Sequence, residues 1–444
     1  MSSGGAAAGA SVRSFVASPS RRVGGTLRIP GDKSISHRAL MLAGIAEGRT
    51  RITGFLDSED CLATLGAMRA MGVRIERQDA TTVIVEGAGD AGLKAPLHDL
   101  DMGNAGTAMR LSLGLLAGQP FTSRLVGDAS LSRRPMERVA TPLRAMGAQI
   151  DTTEGHPPVT VHGGVRLHGI RYELPVASAQ VKSALLLAAL YAHGVTEVIE
   201  PAPTRDHTER MLKGFGVDVL RDGPSARVSG PAKLRACDVD VPADFSSAAF
   251  FLVAGCLARQ GELRLAGIGL NPTRTGLLEI LHSMGADIEI MNARISGGEP
   301  IGDLIVRPSE LRGIEVPGAI VPLAIDEFPV LFIAAACAAG ETLVTGAGEL
   351  RVKESDRIAV MAEALTCLGA EVQVLPDGLR VRGGALKGGT IDSHGDHRVA
   401  MSCAVASLRA SGPIRILDTA NVATSFPGFV ALARTAGLII EERG

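Results

Sequence analysis

The sequence predicts an α/β protein of two domains, each assembled from three copies of one strand–helix–strand–helix–strand unit. Three observations predict it. The chain has 444 residues, more than a single hydrophobic core ordinarily serves. One short pattern, an apolar residue, glycine, a small residue and a β-branched stretch, recurs as AMRAMGVRI, PLRAMGAQI, MLKGFGVDV, ILHSMGADI, ALTCLGAEV and a degenerate LARTAGLII. Its glycines (Gly72, Gly147, Gly216, Gly285, Gly369 and Gly437) stand 75, 69, 69, 84 and 68 residues apart. In phase with it, six Ala/Leu-rich segments end at Gly48, Gly118, Gly194, Gly261, Gly340 and Gly412, at spacings of 70, 76, 67, 79 and 72.

Each element of the unit follows from its residues. The Ala/Leu-rich segments are apolar all round, which predicts buried helices. TRITGF, TEVIEP and ETLVTGA, which follow three of them, read as strands. The second segments are amphipathic and stop at a C-terminal glycine, after which a β-branched strand begins. Units of about 70 residues are too long for common solenoids and too short for ordinary domains. Three per globule gives a first lobe over residues 32–242 and a second over 21–31 plus 243–444, the boundary falling near Ala236–Asp244. The opening strand, GGTLRIPG, precedes the first helix and could pair with either half. Residues 1–20, small and low in complexity, read as a mobile tail without the apolar core of a signal peptide.

Composition narrows the function. Lys plus Arg number 45 against 47 Asp plus Glu, for a net charge of −2, without the basic excess of a nucleic-acid binder. Aromatics are 3% of the chain and Trp is absent, so stacking platforms are not expected. The six cysteines form no CxxC pair and read as free thiols of a reducing compartment. Apolar runs stop short of the roughly 20 residues a membrane span needs. A cytoplasmic protein bound to neither membrane nor nucleic acid is expected.

The starts of the six buried helices are unusually polar: Gly31-Asp32-Lys33-Ser34-Ile35-Ser36-His37-Arg38, Gly103-Asn104-Ala105-Gly106-Thr107, Ala177-Ser178-Ala179-Gln180-Val181-Lys182, Asp244-Phe245-Ser246-Ser247, Ile325-Asp326-Glu327 and Asp396-His397-Arg398. Helix capping accounts for Ser, Asn and Asp there. It does not account for Lys33, Arg38, Gln180, Lys182 or Arg398. Helix N-termini offer free N–H groups and partial positive charge, so several aimed at one cleft make an anion site. Arg134, Arg205, Arg274, Arg351, Lys353 and Arg357 precede or open the second helices and add to it. A near-neutral protein that gathers its cations this way is suited to a small substrate bearing phosphate and carboxylate.

The strings IPGDKSISHR, GNAGTAMR, SAQ before VKSALLLA, RVKESDR, and DHR before an apolar helix occur in one order on this repeat. Together they resemble the 5-enolpyruvylshikimate-3-phosphate (EPSP) synthases from about Val23 to Gly444. TRDHTE, IDEFPVL and ATSFP look most like the class II bacterial branch. The resemblance implies a two-domain inside-out α/β barrel of six βαβαββ repeats, the enolpyruvyl transferase fold, whose domains close on substrate. It implies transfer of the enolpyruvyl group of phosphoenolpyruvate to the 5-hydroxyl of shikimate 3-phosphate, with release of phosphate. Neither metal nor organic cofactor is implied, and a monomer is expected.

Carried onto this sequence, the resemblance assigns Lys33, Ser34, Arg38, Ser178, Ala179, Gln180, Arg205, Asp326 and Lys353 to shikimate 3-phosphate. It assigns Lys33, Asn104, Gly106, Arg134, Gln180, Arg357 and Arg398 to phosphoenolpyruvate. Asp326 is the expected base for the 5-hydroxyl, with Glu354 and Lys33 competing to carry the methylene proton. Ala179 and Thr424 depart from the other branch, which has Ser and a basic residue there. In this family glyphosate occupies the phosphoenolpyruvate site, and the open space at Gly106 implies sensitivity to it. The alternative, a UDP-N-acetylglucosamine enolpyruvyl transferase, calls for Lys-Asn in place of Lys33-Ser34 and a cysteine between Phe121 and Arg134, where this chain has none. An RNA 3′-phosphate cyclase calls for a basic surface that the net charge of −2 does not suggest. A binding protein has no need of both Asp326 and Glu354 among so many cations.

Overall fold

Six helices are buried almost entirely, because their sequences offer no polar face to water. They are Lys33–Ile45, Gly106–Ala117, Ala179–Ala189, Phe245–Leu257, Phe328–Cys337 and His397–Ala406, seen in a computed structural model that describes residues 13–444. Every residue of Phe245–Leu257 and of His397–Ala406 is buried. Six further helices alternate with them: Glu59–Ala70, Glu137–Ala145, His207–Gly214, Gly276–Ser283, Arg357–Cys367 and Phe429–Ala436. The recurrent glycine that ends these second helices has φ of +86°, +101°, +86°, +92°, +85° and +105° in the six copies. That left-handed conformation suits residues without a Cβ, which is why glycine marks the repeat.

Each unit owns one sheet, and there are six sheets among the described residues. The first unit shows the plan: Arg49–Thr53, after the buried helix, and Arg74–Arg77, after the amphipathic one, both pair antiparallel with Val83–Glu86. Side chains along the strands alternate in burial, so one sheet face rests on helices and the other meets solvent. Helices inside and sheets outside produce two hydrophobic cores. One draws on Ile35–Val241; the other draws on Phe15–Ile29 together with Phe245–Ile440.

The expected tail is corrected by the structure. Residues 1–12 lie outside the described residues, but Ser14–Ser18 is an inner strand of the sixth sheet, between Ile414–Leu417 and Ile439–Arg443. After its second helix the sixth unit supplies one strand, Ile439–Arg443, and Ser14–Ser18 takes the place beside it that the unit's own second strand takes in the first unit. Phe15 and Ala17 face the core, and Phe15 stacks on Phe429 with ring centroids 6.4 Å apart.

The cores exchange strands where the chain passes between them. Gly25–Arg28, which leads into the first buried helix, pairs with Leu263–Gly269 of the other core. Val239–Asp240, which leads into the fourth, pairs with Arg49–Thr53. The two crossing segments meet antiparallel: Asp32 N–H donates to Pro242 O and Asp244 N–H to Pro30 O, both at 2.8 Å. Gly31 sits in the crossing, where an added Cβ would lie 1.8 Å from the Gly54 carbonyl oxygen.

Candidate active site

A cleft of about 250 Å³ lies where the two cores meet. The starts of all six buried helices reach it, through Lys33 and Ser34, Gly106 and Thr107, Ala179 and Gln180, His397 with Arg398, and Asp244 and Asp326 just ahead of the fourth and fifth. Asp32, Ser178, Asp244 and Asp396 cap four of these helices through their side chains. Ala105 offers no side-chain cap; the Gly106 N–H bonds the Asn104 carbonyl at 2.9 Å, which leaves the next amides of Gly106–Ala117 to a ligand. Five of the six second helices contribute as well, through Asp60, Arg134 with Arg138, Arg205, Arg274, and Lys353 with Glu354 and Arg357. The sixth contributes nothing: Thr424 is buried and turns its hydroxyl to the Asn421 carbonyl.

Nine cationic side chains and five carboxylates line this cleft, an excess of four positive charges in a chain whose net charge is −2. The carboxylates orient the cations without neutralising them. Asp326 accepts from Arg205, and Arg357 and Lys353 stand 3.6 and 3.7 Å from its Oδ1. Arg398 donates to the Asp326 carbonyl at 2.9 Å. Burial alone would raise the Asp326 pKa, but Arg205, Lys353, Arg398 and Arg357 together hold it well below the usual carboxylate range. Glu354 is in the same position: burial opposes its charge, yet Arg357 at 2.5 Å and Arg134 at 3.5 Å keep it strongly acidic. Burial also lowers the Lys353 pKa, against the pull of Asp326 and Glu349.

Arg357 is almost fully enclosed, its Nε donating to Asp396 at 2.8 Å. His397 is buried beside Lys33, and desolvation pushes its pKa down to about 3, so it lines the cleft as a neutral imidazole. Lys33 is fixed by Asp60 at 3.0 Å. Gln180 accepts from Arg110 at 2.8 Å and donates to Thr107 at 2.9 Å. An added Cβ at Gly106 would meet Arg134 Nη1 at 3.0 Å and Arg110 Nη1 at 3.2 Å.

Of the residues expected here, Lys33, Ser34, Gly106, Arg134, Ser178, Ala179, Gln180, Arg205, Asp326, Lys353, Glu354, Arg357 and Arg398 share the one cleft. Arg38 and Asn104 stand behind its wall. Arg38 spends its guanidinium on Thr208, Ser183 and the Ser34 carbonyl. Asn104 accepts from Arg134 at 2.6 Å and donates to Asp128. Lys182 is also off the cleft, in a fully buried cluster with Glu200 and Glu209. Sequence reasoning did not single out Asp60, Arg138 or Glu349. Arg138 and Glu349 flank helix starts that were recognised, and a search one turn either side of Arg134 and Lys353 finds both. Asp60 carried no signal, since an acid in a first helical turn is ordinary.

The model for EPSP synthase (3-phosphoshikimate 1-carboxyvinyltransferase) matches residues 17–432. The 3-phosphoshikimate 1-carboxyvinyltransferase of Methylococcus capsulatus is 61% identical over 96% of this chain and 98% of its own. That of Acidithiobacillus ferrooxidans is 58% identical over the same shares. Among solved structures, EPSP synthase from Acinetobacter baumannii superimposes with a TM-score of 0.88 at 54% identity, over 97% of this chain and 100% of that one. The enolpyruvyl transferase NikO from Streptomyces tendae shares the fold at a TM-score of 0.78 and 20% identity, over 97% of this chain and 99% of its own.

Proposed function

The chain belongs to the EPSP synthase family, and from that premise we propose that its cleft passes the enolpyruvyl group of phosphoenolpyruvate to the 5-hydroxyl of shikimate 3-phosphate. One observation carries this reading to the present residues: an excess of four positive charges converging at the helix starts. Each substrate brings a phosphate and a carboxylate, and together they supply the missing anions. The two cores are read as two lobes that close on them.

Lys33, Ser34, Ser178, Gln180, Arg205 and Lys353 hold shikimate 3-phosphate, with Ala179 contributing only backbone. Arg38 supports Ser34 from behind. Lys33, Gln180, Arg134, Arg357, Arg398 and the helix start at Gly106 hold phosphoenolpyruvate, while Asn104 aims Arg134. Asp326 is the base for the 5-hydroxyl. It is engaged by Arg205, so its basicity rises when the substrate phosphate draws that guanidinium away. Glu354 lies between Arg134 and Arg357, positioned for the methylene carbon, but its low pKa disfavours it as an acid. Lys33 is the better proton donor, and Glu354 suits the later removal of that proton. The cations stabilise the charge of the tetrahedral adduct, a contribution larger than either proton transfer.

The test is phosphate release from phosphoenolpyruvate by the purified protein. Release that requires shikimate 3-phosphate and proceeds without added metal is expected. Release driven equally by UDP-N-acetylglucosamine, or abolished by EDTA, overturns the reading. Among the described residues no helix is long and apolar enough to cross a membrane; a cytoplasmic monomer remains part of the proposal.

A further inference from the structure

Arg274 lines the cleft, yet it is not free to bind an anion there. Its Nη1 donates to Asp32 Oδ2 at 2.7 Å, and its Nη2 donates to Asp244 Oδ1 at 3.0 Å and to Ser246 Oγ at 2.5 Å. All four side chains are buried. The two aspartates are the side-chain caps of the first and fourth buried helices, one from each core. They sit on the crossing segments, whose backbones already bond reciprocally. A single guanidinium thus spans the joint between the lobes.

From each end of this bridge a short path leads to a reacting group. Asp32 accepts from Ile35 N–H at 2.8 Å and sets the start of the helix whose first residue is Lys33. Ser246 donates to Glu327, the residue after Asp326 and the cap position of the fifth buried helix. We infer that Arg274 is a positioning residue: it fixes the separation between Lys33 on one lobe and Asp326 on the other. The inference rests on the reading of those two residues given above.

The physics makes the arrangement sensitive. Without the guanidinium, two buried carboxylates at the joint face each other unpaired, and mutual repulsion plus desolvation favours opening the crossing. Arg also offers a planar fork that meets two acceptors at once, which the single ammonium of Lys does not reproduce. A shift of about 1 Å between groups that must act together costs up to about a hundredfold in rate.

The experiment measures kcat, both KM values and the unfolding temperature for Arg274→Gln and Arg274→Lys, using the phosphate-release assay. The expected result is a fall in kcat of roughly a hundredfold for Gln and tenfold for Lys. The KM values should move far less than kcat, by about threefold, because the binding cations other than Lys33 keep their own anchors. A change in unfolding temperature with unaltered kcat would make Arg274 a stabilising ion pair and overturn the inference. So would a loss confined to KM, which would make it a substrate contact. If Gln fails to fold, Lys decides; if neither folds, the role is structural and the inference falls. A wild-type protein without activity on the two substrates refutes the functional reading itself, whereas active wild type with equally active variants refutes only the role of Arg274.

Discussion

Before substrate binds, four cations hold the Asp326 carboxyl well below the usual carboxylate range, and that has a measurable sign. Its depressed pKa means its charge is lost only as pH falls below the usual carboxylate range. In kcat/KM, which reports the free enzyme, no acid limb from this group is expected near pH 5, and His397, neutral down to about 3, adds none. Asp326→Asn keeps the shape and removes the proton acceptor, so kcat should fall by roughly 10² or more. Affinity for shikimate 3-phosphate, measured calorimetrically, should change far less; near-normal turnover would reduce Asp326 to an anchor for Arg205. At Gly106 the same residue-level view predicts an inhibitor effect. The wild type should be inhibited by glyphosate in competition with phosphoenolpyruvate. A methyl group there crowds Arg134 and Arg110, whose flexible ends can yield for the shorter substrate. A differential clash of about 1–2 kcal/mol gives Gly106→Ala a ten- to thirtyfold weaker inhibition constant. Equal constants for the two proteins would show that the pocket's length is set elsewhere.

At the scale of elements, the strand Ser14–Ser18 makes the sharpest case. Phe15→Ala leaves a cavity against Phe429 and should cost about 3–5 kcal/mol of stability, as denaturant unfolding would show. Its KM values should not move, since no part of this strand reaches the cleft. A variant as stable as wild type would mean the strand is dispensable. The strand also marks where the sequence could be read and where it could not. The repeat was legible because a left-handed glycine recurs six times, a local requirement written at fixed intervals. The convergence of helix starts was legible because capping alone leaves Lys33, Gln180 and Arg398 unexplained. Residues 14–18 were not legible locally, since SFVAS beside a Ser/Ala-rich stretch has too little pattern to announce a strand. Counting strands, with the sixth unit one short, was the only available signal. Arg38 and Asn104 show the converse limit: residue type places them at the site, but only packing shows that they brace it from behind.

For the whole molecule, the balance across the cleft predicts its motion. Arg138–Glu349 at 2.9 Å, Arg134–Glu354 at 3.5 Å and Arg205–Asp326 draw the two cores together. The excess of four positive charges pushes them apart until anions arrive. Shikimate 3-phosphate should therefore lower the radius of gyration in small-angle scattering, and an unchanged radius at saturation would rule out closure in this protein.

The pairing of Ser14 with Arg443 has a further consequence, for the order in which the protein is made. The first core draws only on residues up to Val241 and can condense while synthesis continues. The second needs the strand Ser14–Ser18 to wait, unpaired, until Ile414–Leu417 and Ile439–Arg443 have been made, contacts of very long sequence separation. On stalled ribosomes the first core should resist protease well before the second. Emergence of Ile414–Leu417 and Ile439–Arg443 should bring that protection abruptly, because the sixth sheet closes only when Ser14–Ser18 can insert between them.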